Sequence, residues 1–397
     1  MDIQSFLLLA VLFVAVAIGW VMGRGARHEN ESADDQSNYF RGLNYLIDEQ
    51  PDSAVDSFIE ALEVNDQTLE THFVLGQLLR RQGQPDRAIR IHQNLLARPG
   101  LDASYRFRAK YELALDFSSS GLFDRAARIL DELVSEKNEY RDLAAQKLLG
   151  IHLSEHEWEA GVQLIDRLSS RRLSLSNKAR PLRRVKSHLC AQVAEDAIAS
   201  GNFISAREWL KQAKEADGNC PRGWFVDVQL AQAEGKYSQA KKALAKVIDH
   251  DSARVPHYLS YANDLYSSDH DLNGFLKYLG AAIKDGAPEV FQLFYLRTLV
   301  TLKGPGDEEV KRKLTELMAA TDSLIATKLY LDVLRQEPKG FGSELALLQR
   351  VVGERIGKQS LFKCTNCGFK GQQLHWNCPS CKEWESIVSN YDVGVKF

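Results

Sequence analysis

A chain of 397 residues, 44% hydrophobic and 26% charged, can form two or three domains around a sizeable core. Its formal net charge of −3 gives no electrostatic footprint of a nucleic-acid binder. Three Met, ten Pro and no low-complexity tract exclude a disordered chain and point to an ordered array.

The first element is Ile3 to Met22, which carries no charge. A helix of that length spans roughly 30 Å, the hydrocarbon thickness of a bilayer. Asp2 precedes it, and Trp20, Met22, Arg24 and Arg27 end or follow it, where a cleaved signal peptide would have a basic start and a small-residue cleavage site. Residues 1–23 are therefore expected to be an uncleaved transmembrane anchor. Arg24 and Arg27 lie just past the span with no Lys or Arg before it, so the positive-inside rule places the remainder in the cytoplasm. Residues 24–37 read as a polar, acidic tether.

From residue 38 a pattern repeats. In Gly76 to Leu95 (GQLLRRQGQPDRAIRIHQNL), Gly76 belongs to a first helix, Gly83 to a turn and Ala88 to a second helix. The equivalents of Ala88 are Ala54, Ala126, Ala160, Ala206, Ala240 and Gly274, at steps of 34, 38, 34, 46, 34 and 34. Twelve residues before the markers stand Gly42, Gly76, Ala114, Ala194 and Ala262, with Leu148 and Val228 as larger exceptions. Small side chains at both positions allow close helix approach, and Phe58, Leu130, Leu164, Leu210, Leu244 and Tyr278 supply bulk four residues beyond. This pattern resembles the tetratricopeptide repeat, which implies an all-α superhelical solenoid of seven hairpins over 38–287. Such a solenoid is a binding surface whose ligand is set by local side chains.

No catalytic constellation stands out in the array. His152, Glu155 and His156 spell H-x-x-E-H, the order of inverted zinc peptidases. In register, however, residue 155 falls at an interhelical turn, which would splay ligands that need one helix face. Cys190 and Cys220 read as packing or incidental thiols. The 46-residue step marks a long insertion, and it carries Arg167, Arg171, Arg172, Lys178, Arg180, Arg183, Arg184 and Lys186 with no acidic residue from 167 to 186. The segment reads as a solvated loop or as a dock for an acidic protein surface or anionic lipid headgroups. Without interleaved aromatics it does not suit single-stranded nucleic acid.

Helical periodicity continues in Pro288 to Lys303, Asp307 to Thr321, Ser323 to Gln336 and Gly342 to Gly357, two degenerate hairpins capping the array over 288–358. Residues 359–397 carry Cys364-Thr-Asn-Cys367 and Cys378-Pro-Ser-Cys381, two knuckles ten residues apart. Four thiolates make a closed tetrahedral site for one metal ion. Gly368 serves the first turn, and Phe362, Phe369, Trp376 and Trp384 are the apolar mass, with His375 at the surface. The C-G-F and W-N-C-P-S-C strings resemble rubredoxin knuckles, although rubredoxin pairs lie further apart, so the module reads as a shortened relative or a zinc ribbon. Intrinsic affinity favours zinc over ferrous iron, and both remain candidates.

Anchor, repeats and four-cysteine module in this order, with DRAIRIHQ at 86–93, GLFDRA at 121–126 and the terminal knuckles, resemble the lipopolysaccharide assembly protein B family over essentially the full length. The resemblance implies an inner-membrane, non-enzymatic adaptor coupling an FtsH-type membrane protease to the deacetylase that commits precursor to lipid A. It also implies that the metal module packs against the repeats. Lipopolysaccharide itself and a second copy of the chain are further candidate partners. A rubredoxin-like electron-transfer protein and a general assembly platform are the alternatives.

Overall fold

The computed structural model describes residues 68–170, 179–321, 323–335 and 342–390. The expected anchor with Arg24 and Arg27, the tether, and the first hairpin around Ala54 lie outside the described residues. Among the described residues no helix is long and apolar enough to cross a membrane. The chain divides at His156 into two compact units.

The first unit holds α1 (Leu69–Arg81), α2 (Pro85–Ala97), α3 (Ala103–Ser119), α4 (Phe123–Ser135) and α5 (Arg141–Ser154). Each helix packs on the next, and the α1–α2 and α3–α4 turns place Gly83 and Gly121 at φ 78° and 73°. That left-handed conformation is costly for any residue with a Cβ. Where the other hairpins have an apolar residue four past the marker, the α1–α2 hairpin has His92. Its buried ring hydrogen-bonds Asp116 through Nδ1 (2.5 Å), and Arg80 closes the network on Asp116 (2.6 Å) and Glu112 (2.7 Å).

The need for glycine at residue 76 follows from that ring. A Cβ on Gly76 would stand 2.5 Å from His92 Cε1, and the ring cannot retreat without leaving Asp116. Gly76→Ala should therefore destabilise the unit by about 1–3 kcal/mol despite alanine's better helix propensity. Urea unfolding checks this; a midpoint at or above that of the parent would contradict it.

The second unit begins with α6 (Trp158–Ser170), α7 (Ala179–Ala199), α8 (Phe203–Ala216), α9 (Pro221–Ala233) and α10 (Tyr237–His250). A 3-10 turn (Ser252–Arg254) leads into α11 (Val255–Ser268), followed by α12 (Leu272–Lys284), α13 (Glu289–Lys303), α14 (Glu308–Ala320), α15 (Leu324–Arg335) and α16 (Gly342–Gly357). Markers Ala206 and Ala240 sit at the fourth position of α8 and α10, both fully buried, as the close-approach argument requires. A continuous core runs from Phe225 to Val333 around Tyr258, Phe275 and Phe294. Side chains of Asn202, Asp271 and Asp307 accept from backbone N–H groups at the starts of α8, α12 and α14.

The chain ends in a small antiparallel sheet, β1 (Phe362–Cys364), β2 (Lys370–Gly371) and β3 (Ile387–Ser389), in the order β2-β1-β3. Phe362 pairs with Gly371 on one side and Ser389 on the other. Strand β3 lies against the 3-10 turn and α11, which sets the module on the helices.

The basic segment differs from a solvated loop. Arg167 lies in α6, and residues 179–186 form the first two turns of α7. Lys186 pairs with Asp166 on α6 (2.5 Å), Arg183 donates to the Ala216 carbonyl (3.1 Å), and Arg184 binds Glu385 of the terminal module. Three of the cations are thus engaged within the chain. Arg171, Arg172 and Lys178, and the side chain of Arg180, lie outside the described residues.

Candidate metal centre and its seat on the helices

The two knuckles bring four sulfurs together. Cys364 closes β1, and the Asn366 and Cys367 N–H groups both point at its Sγ from 3.4 Å. The turn closes when Gly368 donates to the Cys364 carbonyl (3.1 Å) at φ 76°. The second knuckle repeats the device, with Lys382 donating to the Cys378 carbonyl (2.9 Å). Sγ of Cys364 and Cys381 are 3.7 Å apart, as are those of Cys367 and Cys378, and all four lie within 4.8 Å of one another. A tetrahedron with metal–sulfur bonds of ~2.3 Å has edges of about 3.8 Å, so the donor set fits one ion.

The Ser386 hydroxyl and the knuckle N–H groups pull the Cys364 thiol down to about 6, towards the thiolate a metal takes. Burial pushes Cys378 up to about 11, which the ion's charge would offset. Bound there, the metal would cross-link the two turns. Leu361, Phe362, Cys364, Cys378 and Ile387 form the module's buried cluster.

Trp376 and Trp384 do not serve that cluster. Trp384 stacks on His188 of α7 (centroids 4.7 Å, 19°), and Trp376 lies beside the same ring and under the Arg254 guanidinium (4.9 Å). Next to Trp384, Glu385, at a positive φ of 56°, turns its carboxylate to the helices. Its Oε1 meets His188 Nε2 at 2.8 Å and Arg184 Nε at 2.9 Å, and the Arg184 Nη2 group donates to Oε2. Burial would raise the Glu385 carboxyl, but His188 and Arg184 outweigh it and hold the pKa down. Arg254 donates to the Glu385 carbonyl (2.6 Å) while pairing with Asp251 (2.8 Å), whose other contact is the Tyr258 hydroxyl (2.6 Å). Metal knuckle and helices are thus linked through one short loop.

Below that loop His257 of α11 meets Phe362 of β1 edge-on (5.8 Å). Burial, with Arg254 nearby, pushes its pKa down to about 4. An unfolded histidine binds its proton near pH 6.5, so stability falls as pH drops from about 6.5 to about 4, by about 3 kcal/mol in all. His257→Leu should flatten that stretch of the stability–pH curve, measured by denaturant unfolding at pH 7 and 4.5. Parallel curves for parent and variant would refute the assignment.

Of the sequence candidates, the four cysteines converge, while Arg183, Arg184 and Lys186 among the described basic residues reach three different partners, Ala216, Glu385 and Asp166. His152 lies in α5, which ends at Ser154, and His156 takes φ 60° beyond it, so the H-x-x-E-H residues do not share a helix face. His375 is half-buried against Phe369 rather than at the surface. Cys190 packs in α7, fully buried. Cys220 is the exception to the packing reading, since its thiol faces His188 and Glu385. Glu385, His188 and Arg254 carry no local motif, and nothing in the sequence singled them out.

The family described as "Rubredoxin metal binding domain" matches residues 362–389. The chain is 30% identical over 389 residues to lipopolysaccharide assembly protein B of Escherichia coli (strain K12), covering 96% of this chain and 97% of the relative. It is 31% identical over 405 residues to the protein of that name from Haemophilus influenzae, covering 97% and 99%. Among solved structures, the C-terminal part of a TPR repeat-containing protein from Cytophaga hutchinsonii aligns at 14% identity and TM-score 0.35, over 68% of this chain and 98% of that one.

Proposed function

Because the chain belongs to the lipopolysaccharide assembly protein B family, we propose that it regulates lipopolysaccharide biosynthesis as a membrane-anchored, cytoplasmic adaptor without catalysis of its own. In this reading the helical hairpins hold the lipid A pathway deacetylase and an FtsH-type protease together, and the deacetylase is degraded as a result. The observation that carries it is the match to curated relatives over nearly the whole length, terminal module included. Paired helices suit the role, since stacked repeats offer an extended binding surface. The uncharged stretch at Ile3 to Met22 would hold the array at the inner membrane.

Depleting the protein in its own cell while following the deacetylase tests this. The deacetylase should become several-fold longer-lived; an unchanged lifetime would end the adaptor reading.

The metal's part in this reading is structural, since it fixes the loop that carries Glu385. Chains loaded with zinc or with iron should therefore restore deacetylase turnover equally in depleted cell extract. Recovery with iron alone would favour an electron-transfer role instead.

A further inference from the structure

A second group of ligand-type side chains lies where the terminal module meets the helices. His188 comes from the third turn of α7, Cys220 is the residue before α9, and Glu385 comes from the module. Oε1 of Glu385 is 2.8 Å from His188 Nε2, Cys220 Sγ is 3.7 Å from that nitrogen, and Sγ and Oε1 are 3.9 Å apart. His188 and Cys220 are fully buried. A nucleophile–base pair of this type would need a path for substrate, and burial beneath Trp376 and Trp384 provides none.

A hydrogen-bonded latch accounts for Glu385 and His188 but leaves the thiol and its neighbour unexplained. Ser187, beside His188 on the same helix, is also fully buried. Burial would raise the Cys220 thiol pKa, yet His188 and then Ser187 more than offset it and hold it below its ordinary value. Imidazole, thiolate and carboxylate together are the donor types of a zinc-class site. A single point about 2 Å from all three ligand atoms exists, close to the ~2.0–2.3 Å of zinc's bonds to nitrogen, oxygen and sulfur.

We propose that His188 Nε2, Cys220 Sγ and Glu385 Oε1 hold a second divalent metal ion, of the zinc class, distinct from the four-cysteine centre. A dication on one thiolate, one carboxylate and a neutral imidazole is charge-balanced. Arg184 holds both carboxylate oxygens, Nε on Oε1 (2.9 Å) and Nη2 on Oε2; the Oε2 bond would persist with the ion on Oε1, and Asp217 stands 3.9 Å from the guanidinium. Such an ion would join α7, α9 and the module at one point.

The test is zinc stoichiometry of the full-length, detergent-solubilised chain, by equilibrium dialysis and metal analysis. Two ions per chain are expected, and one in Cys220→Ser and in His188→Ala, each retaining the four cysteines and the parent's helix content. One ion in the parent with zinc in excess overturns the proposal, as do two ions in both variants. Cobalt loading of the unaltered chain gives a readout that needs no variant. Its second equivalent should add about one-quarter of the thiolate-to-cobalt absorption of the first, one sulfur against four. A second equivalent with no sulfur absorption lies elsewhere and overturns the assignment.

Discussion

Replacing Cys378 by serine is expected to unfold the terminal module, leave most helices folded, and abolish regulation. Cys378 is fully buried and is both a metal ligand position and part of the module's apolar cluster. Three strands of two or three residues cannot hold a fold of this size without a staple. Structural zinc contributes apparent binding energies of ~10–16 kcal/mol in small metal-folded peptides, far more than a ribbon of this size can replace. Once the turns open, Glu385 leaves His188 and the two tryptophans leave α7. The measurement is Trp emission with zinc content and limited proteolysis. A red shift, loss of the four-cysteine ion and cleavage confined to the region beyond residue 358 are expected. Parent-like emission and metal content in the variant would show that the module folds without its thiolate cage.

Asp251→Ala should be the most damaging change at the helix side, at about 3–5 kcal/mol. Arg254 is 3% exposed and Asp251 7%, so removing the carboxylate strands a guanidinium with little water to solvate it. The Tyr258 hydroxyl loses its acceptor in the same step. Replacing both members of the ion pair, Asp251→Ala with Arg254→Met, should recover part of the loss, since an absent charge costs less than an unpaired one. Denaturant unfolding of both variants decides it. A loss under about 1 kcal/mol in the single variant, or no recovery in the double, would mean that water reaches Arg254.

What could be read in the sequence was what repeats or lies close along the chain. The 34-residue spacing exposes helix pairs because close approach demands a small residue at the same place in every pair, and Ala206 and Ala240 meet that demand. The knuckles were legible because both ligands of a pair sit on one turn. Glu385 was not, since it meets His188 across 197 residues with no periodicity to mark either. The tryptophans were misplaced for a related reason: Trp376 and Trp384 read as core because the module has little else that is large and apolar. In the structure they face α7, and Leu361 and Ile387, unremarkable as letters, fill the interior. For Arg183, Arg184 and Lys186 of the basic segment the partners Ala216, Glu385 and Asp166 are supplied by other elements, which the segment's own letters could not show.

The same 197-residue separation has a consequence for biosynthesis. A ribosome adding ~5–20 residues per second needs about 10–40 s to travel from His188 to Glu385. For most of that interval, once synthesis has passed Ala233, α7 and α9 are complete while the surface that covers His188 and Cys220 has not yet been made. A nascent chain therefore carries an uncovered imidazole, thiol and apolar seam late into its translation. Quality control can use that seam as a mark of unfinished product, and any message truncated before the last knuckle yields a protein that bears it permanently.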